Sequence, residues 1–347
     1  MRWYLVLCIL VCMFFANCST SSQPEGTETE VLGESSTAVE RPSLPEEKQP
    51  ELEPVHETAV DAGPAESTSI ESKVEPTAEK APEPSPPEQG VTFQMKVLSG
   101  FFHGVHGLAV DSDNNIYFSD TYGRVSFVRK VWRIRPPYQG KPEALSIQGK
   151  TPAGLLWHKG AFYVCDVGAG TVRKYDKSFK LLQTWNAASP WNIIPHPDGR
   201  LLTISYAGGV QALDQKGGVK TLFSGLKNPF DLVLTPSGNL WVSEQGTSGP
   251  APGRITLRDE QGKILKDIKH TWSNPEGLAM DNFGGLWVAD TGANKILRIE
   301  SSGKVVEITR NVTIPVLFTN FPNGDLLLGT VGTTPQLIRF SPTKTSP

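Results

Sequence analysis

Cysteine is scarce in this chain, and its distribution excludes a disulfide framework. The 347 residues include four cysteines, of which Cys8, Cys12 and Cys18 lie in the first 18 positions. Only Cys165 remains for the rest of the chain, and one cysteine cannot form an internal bridge. It follows Tyr163 in an apolar segment that predicts a strand, where a buried, unreactive thiol is expected. Disulfides therefore do not stabilise the body of this chain.

Several motifs of catalysis and cofactor binding are also missing. The sequence has no Cys-x-x-Cys pair, no His-Glu-x-x-His, no Gly-x-Ser-x-Gly and no glycine-rich phosphate loop with its lysine. The Gly-Ala-Gly at 168–170 follows a predicted strand but opens no helix, so it is predicted to be a turn. No stretch contains four consecutive Lys or Arg residues. We therefore expect no specific nucleic-acid partner.

Long hydrophobic runs are limited to the start of the chain. Residues 3–16 are apolar after a single charge at Arg2, which is too short to span a bilayer comfortably and is typical of a secretory signal. The run ends at Cys18, and the segment resembles a bacterial lipoprotein signal in which the cysteine is lipidated. That resemblance implies a membrane anchor at Cys18 and location in the bacterial cell envelope. A simple cleaved signal and an uncleaved anchor are the alternatives.

Residues 19–90 lack aromatic residues altogether and are rich in Pro, Glu, Ser and Thr. They carry 17 acidic and 4 basic side chains, a net charge of −13. Such a composition cannot bury enough apolar surface to offset the entropy of ordering, so it predicts a disordered tether. The remaining residues from 91 onward then carry 19 acidic and 28 basic side chains, or about +9. This excess either favours anionic partners or is scattered and aids solubility.

A repeated unit fills the rest of the sequence. Residues 274–299 consist of three short apolar segments separated by clusters of Gly, Asn and Asp, which predicts antiparallel strands joined by tight turns. Five further copies are recognisable, and prolines at 152, 190, 229, 275 and 315 begin successive copies. Periods near 40 with several strands per unit are typical of propeller blades.

Two of these copies carry a clear resemblance. The segments 106–121 and 275–299 resemble NHL-type repeats and the blades of the gluconolactonase-like (senescence-marker) superfamily and of virginiamycin B lyase, and the resemblance extends over residues 104–340. The resemblance implies an all-β, six-bladed β-propeller. We divide the chain into a signal peptide at 1–18, a disordered tether at 19–90 and the propeller at 91–347. The extra strand at 91–98 is expected to supply the outer strand of blade six and so close the ring.

The predicted channel mouth is the candidate binding site. In each blade, the start of the first strand and the end of the second strand meet at one face because the two strands are antiparallel. First-strand positions facing this mouth are His106, Ala153, Trp191, Phe230, Glu276 and Val316, with His103, Asn192 and Asp231 beside them. Second-strand ends are Asp120, Asp166, Tyr206, Glu244 and Asp290. We select His106, Trp191, Phe230, Asp231 and Glu276 as ligand-binding candidates.

Each candidate also has a structural interpretation. Carboxylates at the second-strand ends are expected to accept backbone N–H groups of the adjoining turn. The rings of Trp191 and Phe230 either pack the channel or provide a stacking surface. Glu276 lies in an apolar row and must be paired, metal-bound or catalytic.

Two functions from different classes remain open. The first is a binding module that presents its channel mouth to a small molecule, glycan or protein. The second is a lactonase or related hydrolase that depends on a divalent cation such as Ca²⁺, because the gluconolactonase-like resemblance implies Glu, Asn and Asp ligands on the first strands. Glu276 matches one ligand position. Ala153 or Trp191 stands where the family has Asn, so the set is incomplete.

Overall fold

The computed structural model describes residues 91–99, 104–120, 130–147, 149–246, 252–310 and 312–344. The predicted signal, the lipidation site Cys18, the tether and His103 lie outside these ranges. Within them, no helix has the length and apolar character needed to cross a bilayer.

The described residues form six four-stranded antiparallel sheets, which confirms the predicted six-bladed β-propeller. Blade one contains β2 (Gly107–Val110), β3 (Ile116–Asp120), β4 (Lys130–Ile134) and β5 (Glu143–Ala144). Blade two contains β6 (Pro152–His158), β7 (Ala161–Asp166), β8 (Thr171–Tyr175) and β9 (Leu181–Asn186). Blade three contains β10 (Pro190–Pro195), β11 (Leu201–Ser205), β12 (Gly209–Leu213) and β13 (Val219–Ser224).

The second half of the ring repeats this arrangement. Blade four contains β14 (Pro229–Leu234), β15 (Leu240–Glu244), β16 (Arg254–Arg258) and β17 (Ile264–Asp267). Blade five contains β18 (Pro275–Met280), β19 (Leu286–Asp290), β20 (Lys295–Ile299) and β21 (Val305–Thr309). Blade six contains β22 (Pro315–Asn320), β23 (Leu326–Thr330), β24 (Leu337–Lys344) and β1 (Val91–Ser99). Two single 3₁₀ turns, 167–169 and 291–293, follow β7 and β19.

Blade six is built from both ends of the described chain, as the sequence predicts. β1 pairs antiparallel with β24, from Val91 opposite Lys344 to Ser99 opposite Leu337. Phe93 of β1 packs edge-on against Trp287 of blade five, with ring centroids 4.5 Å apart. The strand therefore covers the edge of β24 and adds apolar contact to the neighbouring blade.

Aspartates fix the turn between the first two strands of several blades. In blade five, the Asp281 carboxylate accepts the backbone N–H groups of Phe283 and Gly285 and the indole N–H of Trp287. Asp111 does the same in blade one, accepting the N–H groups of Asp113 and Asn115. These bonds satisfy turn donors that the strand ladder leaves unpaired.

Neighbouring first strands approach so closely that only glycine fits at three positions. A Cβ on Gly107 would lie 1.8 Å from the Ala153 carbonyl oxygen of the next blade, and one on Gly277 would lie 2.4 Å from that of Val316. Gly154 meets the carbonyl of Trp191 in the same way. The first strands of neighbouring blades thus pack closely at the centre of the propeller. The residue just before each of these glycines lies at one end of its first strand.

The closing strand offers a direct test of this architecture. A chain that begins at residue 100 should be less stable than one that begins at residue 85 by roughly 4 kcal/mol or more, or by about 10 °C in Tm, because it loses the β1 ladder and the Phe93 contact. Thermal unfolding by circular dichroism measures the difference.

A chain that begins at residue 91 is the control, since it keeps β1 and should match the chain from 85. Equal melting temperatures for the chains from 85 and 100 would show that β1 does not close the ring.

Candidate functional site

A repeated hydrogen bond builds the channel mouth. In blades two to six, the residue that follows the second strand donates its backbone N–H to the carbonyl of the residue just before the first proline. The donor–acceptor pairs are Val167–Thr151, Tyr206–Ser189, Gln245–Asn228, Thr291–Asn274 and Val331–Ile314, at 2.9–3.1 Å. This bond brings the two strand ends to one face, as predicted.

The mouth therefore has two sets of residues. We call the first-strand set the inner ring, which comprises His106, Ala153, Trp191, Phe230, Glu276 and Val316. We call the set that follows the second strands the outer ring, which comprises Val167, Tyr206, Gln245, Thr291 and Val331. Blade one contributes no described outer-ring residue, because residues 121–129 fall outside the described ranges.

Two carboxylates at second-strand ends hold backbone donors, but mainly those of the loop before the first strand and not those of the adjoining turn as predicted. Asp166 accepts the N–H groups of Lys150 and Thr151 and pairs with Arg173 at 2.9 Å. Asp290 accepts the N–H groups of Ser273 and Asn274.

Glu244 behaves similarly. It accepts the N–H of Lys227 and forms an ion pair of 3.0 Å with Arg258. In blades two, four and five these acids thus hold the loop that leads into a first strand. They are occupied with backbone donors and do not face the mouth as free carboxylates.

Glu276 lies in the inner ring and is 6 % exposed. Its Oε1 accepts the side-chain amides of Gln245 and Asn274, both at 2.8 Å. Thr291 is also within hydrogen-bonding reach of the carboxyl, while its own hydroxyl donates to the Pro315 carbonyl at 2.5 Å. Because the hydroxyl proton of Thr291 is donated to Pro315, the Thr291 oxygen can only accept a hydrogen bond from Glu276. A protonated Glu276 can donate that bond, whereas a carboxylate cannot.

Burial raises the pKa of Glu276 to about 8, and the negative charge of Asp290 raises it further. The amide donors of Gln245 and Asn274 work against this shift without cancelling it. Glu276 is therefore mainly a neutral acid at pH 7.

Asp231 lies one residue deeper than the inner ring, where blades one, two and five have glycine. Its carboxylate accepts the N–H of Leu278 at 2.8 Å and the side-chain amide of Asn192 at 2.5 Å. Burial raises its pKa to about 7. The side chain thus bridges the first strands of blades three, four and five, which is an architectural contact beneath the mouth.

The aromatic candidates form one contact group on blades three and four. Trp191 packs against Phe230 and against Tyr206 of the outer ring, with ring centroids 5.4 Å apart in both cases. Trp191 and Phe230 are 6 % and 4 % exposed, so packing accounts for most of their surface. The indole Nε1 of Trp191 is buried and has no hydrogen-bond partner among the described residues.

His106 completes the described part of the inner ring from blade one. It is half-buried, and desolvation lowers its pKa to about 4. The imidazole is therefore neutral at pH 7. Cys165, by contrast, is buried with its pKa raised to about 12, which confirms the prediction of an unreactive thiol.

The described residues do not fit a divalent-cation site. None of them forms a group of three or more His, Cys, Asp or Glu side chains placed to hold a metal ion. Calcium takes six to eight oxygen ligands, whereas Glu276 faces two amide N–H donors. Asn192 and Asp231 are turned toward each other and toward Leu278.

The sequence did not single out the groups that surround Glu276. Asn274, Gln245 and Thr291 come from three different loops, and only the hydrogen bond between strand ends brings them together. The regular spacing of the outer ring would have identified Gln245 and Thr291, since both directly follow a second strand.

Two surface cavities lie apart from the two rings. One of 490 Å³ is lined by residues 252–254 and 267–272. Another of 670 Å³ lies near Leu234, Trp241 and Met280, at the turns on the opposite face. Neither includes an inner-ring or outer-ring residue.

Comparisons with known proteins agree with the architecture. No family model matches the chain, and no curated protein matches it in sequence. Among solved structures, virginiamycin B lyase from Staphylococcus aureus is 18 % identical with a TM-score of 0.52, covering 74 % of this chain and 90 % of that one. A gluconolactonase from Xanthomonas campestris is 17 % identical with a TM-score of 0.57, covering 72 % and 90 %.

A third similar structure is an oxidoreductase (glucose dehydrogenase) from Thermus thermophilus, 17 % identical with a TM-score of 0.56, covering 72 % of this chain and 100 % of that one. The three proteins are named after three different activities. At a sequence identity of 17–18 %, their similarity to this chain establishes the fold alone.

The raised pKa of Glu276 predicts how stability depends on pH. The folded state keeps a proton that the unfolded chain releases near pH 4.5, so the free energy of unfolding should fall as pH rises from about 4.5 to about 8. Glu276→Gln does not titrate, and its amide can donate to Thr291 while its carbonyl accepts the same two amides. The free energy of unfolding of the variant should equal that of the wild type near pH 4 and exceed it by a few kcal/mol at pH 8.

Urea unfolding at several pH values measures this difference. Glu307→Gln is the control, because Glu307 is exposed on β21 and its pKa is lowered by Arg310 and Lys295, so it titrates below this window. A Glu276→Gln variant that loses stability equally at pH 4 and pH 8 would contradict a protonated Glu276.

Proposed function

We propose that this propeller is a binding module that takes a small molecule, a glycan or an exposed group of a protein at its channel mouth. The observation that carries the proposal is the buried indole N–H of Trp191, which has no hydrogen-bond partner among the described residues. A buried donor left unpaired costs about 1–3 kcal/mol, and a ligand acceptor would recover that energy.

The composition of the two rings supports the same proposal. Ala153, Trp191, Phe230 and Val316 belong to one apolar cluster, and the outer-ring residues Val167, Tyr206 and Val331 pack against it. Besides His106 and Tyr206, the polar side chains at the described ring positions are Gln245, Glu276 and Thr291, which lie together at blades four and five. Apolar walls with a few convergent polar groups are typical of ligand sites.

We also propose that the module is carried on a membrane. The lipoprotein-type signal ending at Cys18 and the acidic tether support a lipid-anchored protein of the bacterial cell envelope. The tether would separate the propeller from the membrane surface.

Binding at the mouth is tested with the purified full chain and a panel of monosaccharides, lactones and ammonium compounds, by ligand-observed NMR. Trp191→Ala should weaken binding of any compound that binds at the mouth by about tenfold, since it removes a donor and an aromatic surface. Glu276→Gln should also change the affinity while leaving the fold intact.

Trp132→Ala is the matched control, because Trp132 is a half-buried tryptophan on the third strand of blade one. Compounds that bind the wild type and both tryptophan variants equally would place the binding site elsewhere.

A metal-dependent lactonase is the alternative, suggested by the similar fold of the Xanthomonas gluconolactonase and by the position of Glu276. The ligands that the described residues offer do not favour it. Calcium uptake by calorimetry together with lactone hydrolysis, both lost in Glu276→Gln, would establish this alternative over the binding module.

The anchor has its own test. Acylation of Cys18 predicts that the wild-type protein partitions with membranes, and that Cys18→Ser is neither lipidated nor retained there. Metabolic labelling with a fatty acid and membrane fractionation measure both. A Cys18→Ser protein that is processed and fractionates like the wild type would show that Cys18 is not the anchor.

A further inference from the structure

The channel mouth differs in charge from the rest of the propeller. Residues 91–347 carry 28 basic and 19 acidic side chains. Nevertheless, no lysine or arginine occupies any described position of the inner or outer ring. The one basic side chain there is His106, which is neutral because burial lowers its pKa to about 4. The described positions of the two rings therefore offer no fixed positive charge to an anionic ligand.

Among the buried carboxylates of the described residues, Glu276 is held neither by arginine nor by a backbone N–H group. Four others are paired with arginine: Asp166 with Arg173, Glu244 with Arg258, Asp281 with Arg298 and Asp325 with Arg339. Asp111, Asp231 and Asp290 accept backbone N–H groups instead. Glu276 has no ion pair among the described residues and is held by neutral amides and a hydroxyl. A buried carboxylate normally has a cationic partner, and this one lies where a ligand could supply it.

Aromatic rings lie beside this carboxylate in the ring order. Trp191, Phe230 and Glu276 are the inner-ring residues of blades three, four and five in succession, and Tyr206 packs on Trp191 from the outer ring. Faces of tryptophan, tyrosine and phenylalanine attract ammonium groups through their quadrupoles. Phe230 lies on the first strand that adjoins the strand of Glu276, and Trp191 lies one blade further on. An aromatic group and an acid without an ion pair among the described residues thus occupy one mouth.

We infer that the ligand of this mouth is an organic ammonium ion, with Glu276 as its counter-ion and Trp191, Phe230 and Tyr206 as its aromatic wall. The inference rests on the proposed binding function and specifies its ligand class. A neutral sugar would use the same rings for stacking, but it would not stabilise the ionised form of Glu276 as a cation does.

A pair of isosteric probes separates charge from shape. Choline and its neutral carbon isostere 3,3-dimethylbutan-1-ol have nearly the same size, so a difference in their affinity for the full chain reports the positive charge. We expect choline to bind at least about tenfold more tightly in calorimetry at pH 8, where Glu276 is partly ionised. Asp290 is the charged group that raises the pKa of Glu276, and it is held by the backbone N–H groups of Ser273 and Asn274.

Variants assign the effect to named residues. Glu276→Gln should lower the affinity for choline by about tenfold and leave the affinity for the isostere unchanged, whereas Trp191→Leu should lower both affinities. Glu307→Gln, which removes an exposed carboxylate on β21, should change neither affinity.

The outcomes are distinct. Choline binding no tighter than the isostere, or choline binding unaffected by Glu276→Gln, would overturn the inference while a site at the mouth still stands. Binding of a neutral monosaccharide or lactone at the mouth without choline binding would also overturn the inference alone. If no compound of the panel binds in a manner sensitive to Trp191→Ala, the inference and the proposed function both fail.

Discussion

The hydrogen bond between the end of one strand and the start of another is the contact on which the mouth depends. In five blades, the amide that follows the second strand donates to the carbonyl that precedes the first strand. The proline that follows this carbonyl has no N–H of its own and a fixed φ, so it starts the strand without an unsatisfied donor. Each repetition places one inner-ring residue beside one outer-ring residue. The site is therefore a property of the ring and not of any single loop.

Electrostatics distinguish the parts of the propeller that hold the fold from the part that we propose to bind. Burying a carboxylate is costly unless a cation or several donors compensate for it. The turn and loop acids Asp166, Glu244 and Asp281 meet this requirement with arginine and backbone N–H groups. Asp231 meets it with an amide and two backbone N–H groups between blades. Glu276 meets it by keeping its proton, which leaves the acid responsive to a charged ligand.

The sequence predicted the architecture because each blade has its own local sequence pattern. Alternation within strands, turn clusters and the spacing of prolines fixed the six blades, and the unpaired segment before the first copy indicated that β1 closes blade six. The surroundings of Glu276 were beyond this kind of prediction. Asn274 precedes it by two residues and Thr291 follows the second strand of the same blade, but Gln245 comes from blade four, so its approach depends on the packing between blades. Likewise, Asp231 occupies a glycine position, and only the close approach of the first strands shows that it reaches Leu278.

Strand direction connects the mouth to the start of the propeller. β23 ends at Thr330, next to the bond from Val331 to Ile314, so it ends at the mouth. β24 begins at Leu337 opposite Gly329 and runs away from that face, and Val91 pairs with its far end at Lys344. The chain therefore enters β1 at the face opposite the mouth. Residue 91 thus lies at the end of the propeller away from the proposed binding face. The physical requirement of closing the last blade and the proposed requirement of an open binding face are thus satisfied by the same strand.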